Sequence, residues 1–129
     1  MIIVDEEKAL IEDFETYIMT TGIDYKKDDI EVVIGTAEFK PNCRVPEEGY
    51  GKHDFDEYSY VISGQIKAKI GNSYVNLKEG EFSYIPEGEK HYSENKSKEN
   101  CKLIWVKVKK KEGGILWESQ RTLVERLQT

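Results

Sequence analysis

The chain has 129 residues, of which 38% are hydrophobic, 11% aromatic and 34% charged. That size suits one globular domain over residues 1–129 that buries roughly two-thirds of the surface its unfolded chain would expose, and the composition is that of a globular protein rather than a disordered one. Nineteen basic against twenty-five acidic residues give a net charge of -6, the wrong sign for a broad phosphate-neutralising surface, so nucleic acid is not an expected partner.

Residues 1–10 carry acids at once with no basic stretch before an apolar one, and no run approaches the roughly 18 apolar residues of a spanning helix. The expectation is a cytoplasmic protein without membrane association. Over residues 5–19, Leu10, Phe14, Tyr17 and Ile18 fall at helical spacing with Asp5 placed as a cap, which predicts a short N-terminal helix. The β-forming run 16–21 leaves a strand as the alternative, and 22–29 reads as a polar connection. From Glu31 onward the texture changes to short apolar runs at 32–39, 55–62, 65–70, 74–77, 82–85 and 103–108, separated by turn residues. Regular short strands of this kind predict an all-β sandwich or barrel with its core at about 30–109.

Gly71-Asn72 marks a tight hairpin, and 41–51, with two prolines and two glycines, is the one long irregular connection. Lys107, Lys109, Lys110 and Lys111 read as a solvated strand end. After Gly113-Gly114, Leu116, Gln120, Leu123 and Leu127 share one helical face, predicting a C-terminal helix at about 115–127. Cys43 and Cys101 stand far apart without C-x-x-C spacing, which fits buried free thiols in a reduced compartment.

The chemistry-bearing residues concentrate around its two histidines. His53 and Glu57 lead into a strand, where an even separation puts them on one face, so they can share one ion. Pro86 ends a later strand, Gly88 permits a tight turn, and the chain returns with His91, which a barrel can bring beside His53. Gly80, Pro86, Gly88, His91 and Asn95 match G-x5-P-x-G-x2-H-x3-N without a gap, and a chance match is roughly a one-in-a-hundred-thousand event at ordinary Gly and Pro usage. This segment resembles the second motif of the cupin superfamily. The latter half of the first motif, G-x5-H-x-H-x3-E-x6-G, is matched by His53, Glu57 and Gly64; Gly51 stands where the first histidine falls and Val45 where the leading glycine falls.

The resemblance covers residues 45–95 by motif. It implies a double-stranded β-helix barrel, here with short N- and C-terminal helical segments, commonly a homodimer, with one metal at its mouth. Carried over by position, His53, Glu57 and His91 are the ligands of one divalent ion, Fe, Mn, Ni or Zn, in a 2-His-1-carboxylate set with open positions. The corresponding function is a small-molecule metalloenzyme of isomerase, lyase or dioxygenase type. The alternative is a non-catalytic binding or sensing cupin whose metal site has decayed at Gly51. Tyr84 and Tyr92 flank the second motif and are candidate catalytic acid–base residues, with an ordinary core or rim role as the opposing reading. If Glu57 faces inward, alternation sends Ser59 and Val61 inward and Tyr58, Tyr60 and Ile62 to an outer apolar face, which a second subunit or a packed terminal helix would cover.

Overall fold

Ten strands form among residues 1–110, the residues that this computed structural model describes. In chain order they are β1 (Leu10–Asp13), β2 (Tyr17–Lys27), β3 (Ile30–Phe39), β4 (Arg44–Val45), β5 (Asp56–Ser63), β6 (Gln65–Ile70), β7 (Ser73–Lys78), β8 (Phe82–Ile85), β9 (His91–Glu94) and β10 (Cys101–Lys110). They pair antiparallel throughout, in a six-stranded sheet of order β1-β2-β3-β10-β5-β8 and a four-stranded sheet of order β4-β9-β6-β7. The predicted strand runs all form, with ends displaced by one or two residues. The hairpin at Gly71-Asn72 joins β6 to β7 with Ile70 paired to Ser73 and Gly71 at a φ of 59°. No helix among the described residues is long and apolar enough to cross a membrane. The predicted C-terminal helix and Lys111 lie outside the described residues.

The expected N-terminal helix is not formed. Asp5 does cap a turn, accepting from the Lys8 amide at 3.1 Å, but the turn is not propagated. Glu15, at a φ of 71°, reverses the chain, β1 folds back on β2, and β2 pairs with β3 from Tyr17↔Phe39 to Lys27↔Ile30. A ten-residue ladder on an open sheet edge outweighs the weak propensity of a short helix, and the β-forming run 16–21 supplies the side chains for it.

The core lies between the two sheets and is built from alternate residues: Ala37 and Phe39 of β3, Val61 of β5, Ile66 of β6, and Cys101, Leu103 and Trp105 of β10. Burying each large aliphatic side chain contributes about 1.5–3 kcal/mol. Asn95, fully buried, joins the loops at one end. Its amide donates to the carbonyls of Phe39 at 2.9 Å and Glu99 at 2.8 Å, and its carbonyl accepts from the Ser97 amide and hydroxyl. Every polar group of that side chain is thereby used, so the last residue of the second motif is a structural pin.

Gly35 sits opposite Trp105 on β10 and Thr21 on β2. A Cβ there would lie 2.0 Å from the Thr20 carbonyl oxygen and 2.5 Å from Trp105 Cζ2. Gly51 differs, since a Cβ there would meet its nearest atoms at 3.6 and 3.7 Å, ordinary contact distances. Gly35→Ala is therefore expected to lower unfolding free energy in urea by about 1–3 kcal/mol. Gly51→Ala is expected to leave it within about 0.5 kcal/mol of wild type in the same titration.

Candidate metal centre

The cavity between the sheets has a volume of about 350 Å³ and a largely apolar wall that includes Met19, Ala37, Ile66, Ala68 and Leu103. His53, Glu57 and His91 all line it, and one ligand atom from each lies within 4.8 Å of the other two. Three separate pieces of chain are needed. His53 comes from the connection before β5, Glu57 from the second position of β5, and His91 from the first position of β9.

Backbone bonds bring these pieces into register. Gly51 and His91 exchange both amide–carbonyl hydrogen bonds, at 2.8 and 3.0 Å, which ties the His53 segment to the start of β9. The Gly88 amide donates to the His53 carbonyl at 2.9 Å. Asp56, 1% exposed, accepts from the Glu87 amide at 2.8 Å and from the Tyr84 hydroxyl at 3.3 Å. The turn 86–90 is thus held beside β5 by the residue next to Glu57, which explains why an acid sits in the core at that point. In the Gly51↔His91 bridge the two residues are directly opposed, so a side chain at 51 would stand on the same face as His91.

Ring geometry sets the donors. His91 Nδ1 lies 3.0 Å from the Glu89 carbonyl oxygen. That oxygen can only accept, so Nδ1 carries a proton, and in the neutral ring the lone pair is on Nε2. The His53 ring stacks on Phe55 at 4.6 Å between centroids and stands 4.7 Å from the His91 ring. Burial lowers the pKa of His53 below its ordinary value, with His91 and Lys107 adding to the effect against Asp54, so its neutral imidazole is favoured. Burial also raises the Glu57 carboxyl above the usual range, and the opposing pull of His91 and Lys107 is smaller. Two imidazoles and a carboxylate form a donor set suited to a divalent first-row cation.

The other sequence candidates lie elsewhere. Ser83 and Ile85 of β8 face the cavity, so alternation turns Tyr84 outward, where its ring stacks on Tyr58 at 5.0 Å. His91 and Ser93 face inward, so Tyr92 also turns outward, under the Arg44 guanidinium and beside Tyr50. Neither tyrosine meets the three-residue cluster. Ser59 lines the cavity as expected and its hydroxyl pairs with that of Ser83, while Val61 is 1% exposed in the core.

Lys107 is the residue whose sequence reading needs correction. It lines the cavity instead of ending a solvated strand. The signal was present in β10, where Cys101, Leu103 and Trp105 form an inward series that Lys107 continues.

The sequence model of the family described as "Cupin domain" matches residues 35–107, a span containing all three cluster residues. No curated protein matches this chain in sequence. Among solved structures, an RmlC-like cupin from Shewanella frigidimarina is similar at a TM-score of 0.67 and 16% identity, over 87% of this chain and 94% of its own. Hydroxypropylphosphonic acid epoxidase from S. wedmorenis is similar at 0.66 and 18%, over 83% of this chain and 59% of its own. An Fe(II) form of HppE with the alternative substrate (S)-1-HPP gives 0.65 and 18%, over 83% and 60%. This chain spans about three fifths of the length of those last two. At these identities the likeness is one of fold.

Both cysteines are buried, and neither joins the cluster. Burial pushes the Cys101 thiol up to about 11 and raises Cys43 as well, despite a hydrogen bond from Thr16 that lowers it. In native protein near pH 7.5, alkylation of Cys101 by iodoacetamide is expected to run roughly a hundredfold slower than in urea-unfolded protein, through loss of thiolate. Mass spectrometry of timed samples measures both rates.

Proposed function

The chain belongs to the cupin family, and from that premise we propose that it is a metal-binding small-molecule enzyme with His53, Glu57 and His91 as its metal ligands. The observation that carries this reading is the convergence of two imidazoles and one carboxylate, from three separate segments, within 4.8 Å on the wall of an apolar cavity. A divalent ion of Fe, Mn, Ni or Zn bound there supplies Lewis-acid polarisation of a substrate oxygen or a site for dioxygen, the chemistry shared by isomerase, lyase and dioxygenase types. The protein's own contribution is positional. The Glu89 carbonyl keeps the His91 lone pair on Nε2, Phe55 orients the His53 ring, and the clamp from Asp56 to Glu87 holds the His91 turn against β5. The apolar walls keep water away from a small polar metabolite seated against the cluster.

Protein purified without a histidine tag is expected to bind close to one first-row ion per chain by elemental analysis. Saturation at a hundred times the dissociation constant adds about 2.7 kcal/mol of stability, which raises the melting temperature by several degrees. Glu57→Gln and His91→Ala are each expected to abolish that rise. No bound ion and no metal-dependent melting shift would overturn the assignment and leave the ion-free binding or sensing role.

The outer face of the six-stranded sheet supports a homodimer as the assembled form. Tyr58, Tyr60, Phe82, Ile104 and Val106 line one apolar groove there, and Phe82 is 80% exposed. Light scattering is expected to give twice the chain mass for wild type and the monomer mass for Phe82→Glu. A monomeric wild type at micromolar concentration would rule out the dimer.

A further inference from the structure

Glu57 is a carboxylate on the wall of a largely apolar cavity. A charge in such a place needs an opposite charge nearby, and when no ion is bound the chain has to supply it. The ladders leave one candidate. Glu57 is opposed by Ile85 of β8 on one side and by Lys107 of β10 on the other. Directly opposed residues on neighbouring antiparallel strands share a face, with Cβ atoms about 4.5–5.5 Å apart, so the ammonium and the carboxylate stand on the same side of the sheet.

The carboxylates around Lys107 single out Glu57 as its partner in turn. On β3 the opposed residue is Val33, Asp54 is taken by Lys109, and Glu31 is paired with Lys26. Glu12, the other acid on the cavity wall, lies in the rung of Met19, Ala37 and Leu103, roughly 13 Å along β10 from Lys107. The ammonium is held over the Phe55 ring at 4.9 Å and the Trp105 ring at 4.8 Å, and Phe55 in turn stacks on His53 at 4.6 Å. Cation–π contact with those rings fixes the charge close to two of the three cluster residues. Burial is the largest influence on the pKa of both His53 and Glu57 and His91 the next, and Lys107 is near enough to lower both as well.

This placement has two consequences of opposite sign. Without an ion, the ammonium offsets a carboxylate that would otherwise be buried uncompensated. With an ion on the cluster, two cationic centres share one carboxylate and repel each other across a few ångströms of low-dielectric interior, which is enough to change an affinity tenfold or more. We propose that Lys107 is the internal counter-ion of Glu57 in the ion-free protein and thereby sets how tightly the His53–Glu57–His91 cluster holds a divalent ion. The inference deepens the proposed function and rests on it only for the second half. A chain that carries its own cation beside the ligands stays folded when the ion leaves, and it holds that ion less tightly than the ligands alone would.

The probe for the second half is zinc, titrated calorimetrically into EDTA-treated and desalted wild type, Lys107→Met and Lys107→Arg. Lys107→Met, which keeps the length of the side chain without its charge, is expected to bind zinc on the order of tenfold more tightly, equivalent to about 1.4 kcal/mol. Lys107→Arg is expected to stay near wild type. Unchanged or weaker binding in Lys107→Met would overturn the proposal. The first half is read in EDTA by urea unfolding of wild type, Lys107→Met, Glu57→Gln and the double variant, with circular dichroism to confirm that each is folded. Lys107→Met is expected to lower the midpoint in wild type and to lower it much less when position 57 is already Gln; packing losses against Phe55 and Trp105 are common to both backgrounds and cancel in the cycle. Additive effects of the two substitutions would also overturn the proposal. If zinc binds none of the proteins, the metal assignment falls and the cycle alone decides: coupling upholds the counter-ion and additivity removes it.

Discussion

Glu57 stands between Ile85 of β8 and Lys107 of β10, paired to both across antiparallel ladders. That register organises the interior. It turns a carboxylate and an ammonium to the same face, sends Ser59 and Val61 inward behind them, and leaves Tyr58, Tyr60 and Tyr84 on the outer surface. A slip by one residue would exchange the two faces of β5 entirely, putting tyrosines into the cavity and the carboxylate outside. The long pairing of β10 with β3, from Cys101↔Phe39 to Lys110↔Ile30, resists such a slip, and Gly35 locks it further because only glycine fits beneath the Trp105 ring.

Buried polar groups in this fold divide by whether protein atoms meet them. Asn95 is saturated by two carbonyls, an amide and a hydroxyl, and Asp56 anchors the Glu87 amide and the Tyr84 hydroxyl. Their role is to hold loops. Around the cavity the balance changes. Glu57 is desolvated enough that burial raises its pKa despite two neighbouring positive or protonatable groups, and the Trp105 N–H has no partner among the described residues. A structure carries such groups at a cost in stability.

The cupin assignment was legible early because its second motif is local. Pro86 and Gly88 dictate a strand end and a tight turn, and His91 follows at a spacing that a short backbone segment sets by itself. Strand runs from Val32 to Val108 were equally legible from alternation and turn residues. The N-terminal segment was not. Leu10, Phe14, Tyr17 and Ile18 have helical spacing, yet the free edge of β3 captured the chain as β2, a competition that local propensity cannot weigh. The outward turn of Tyr84 and Tyr92 was hidden for a related reason: proximity to a motif in sequence says nothing about parity, and each lies one residue from an inward-facing neighbour.

What the sequence determined by itself is the set of parts: short alternating strands, a gapless turn motif, two histidines and a glutamate at strand-compatible spacing, and a glycine where a further histidine would fall. These follow from backbone stereochemistry and the two-residue period of a strand, which act over a few residues. What only the tertiary structure decided is who meets whom. His53, Glu57 and His91 converge because Gly51 bridges to His91 and Asp56 grips the turn between β8 and β9. Lys107, 50 residues from Glu57 in the chain, becomes its cross-strand neighbour through the pairing of β5 with β10. Such contacts depend on which ladder closes the barrel, a choice made by burial of the whole core and by no residue's local preference.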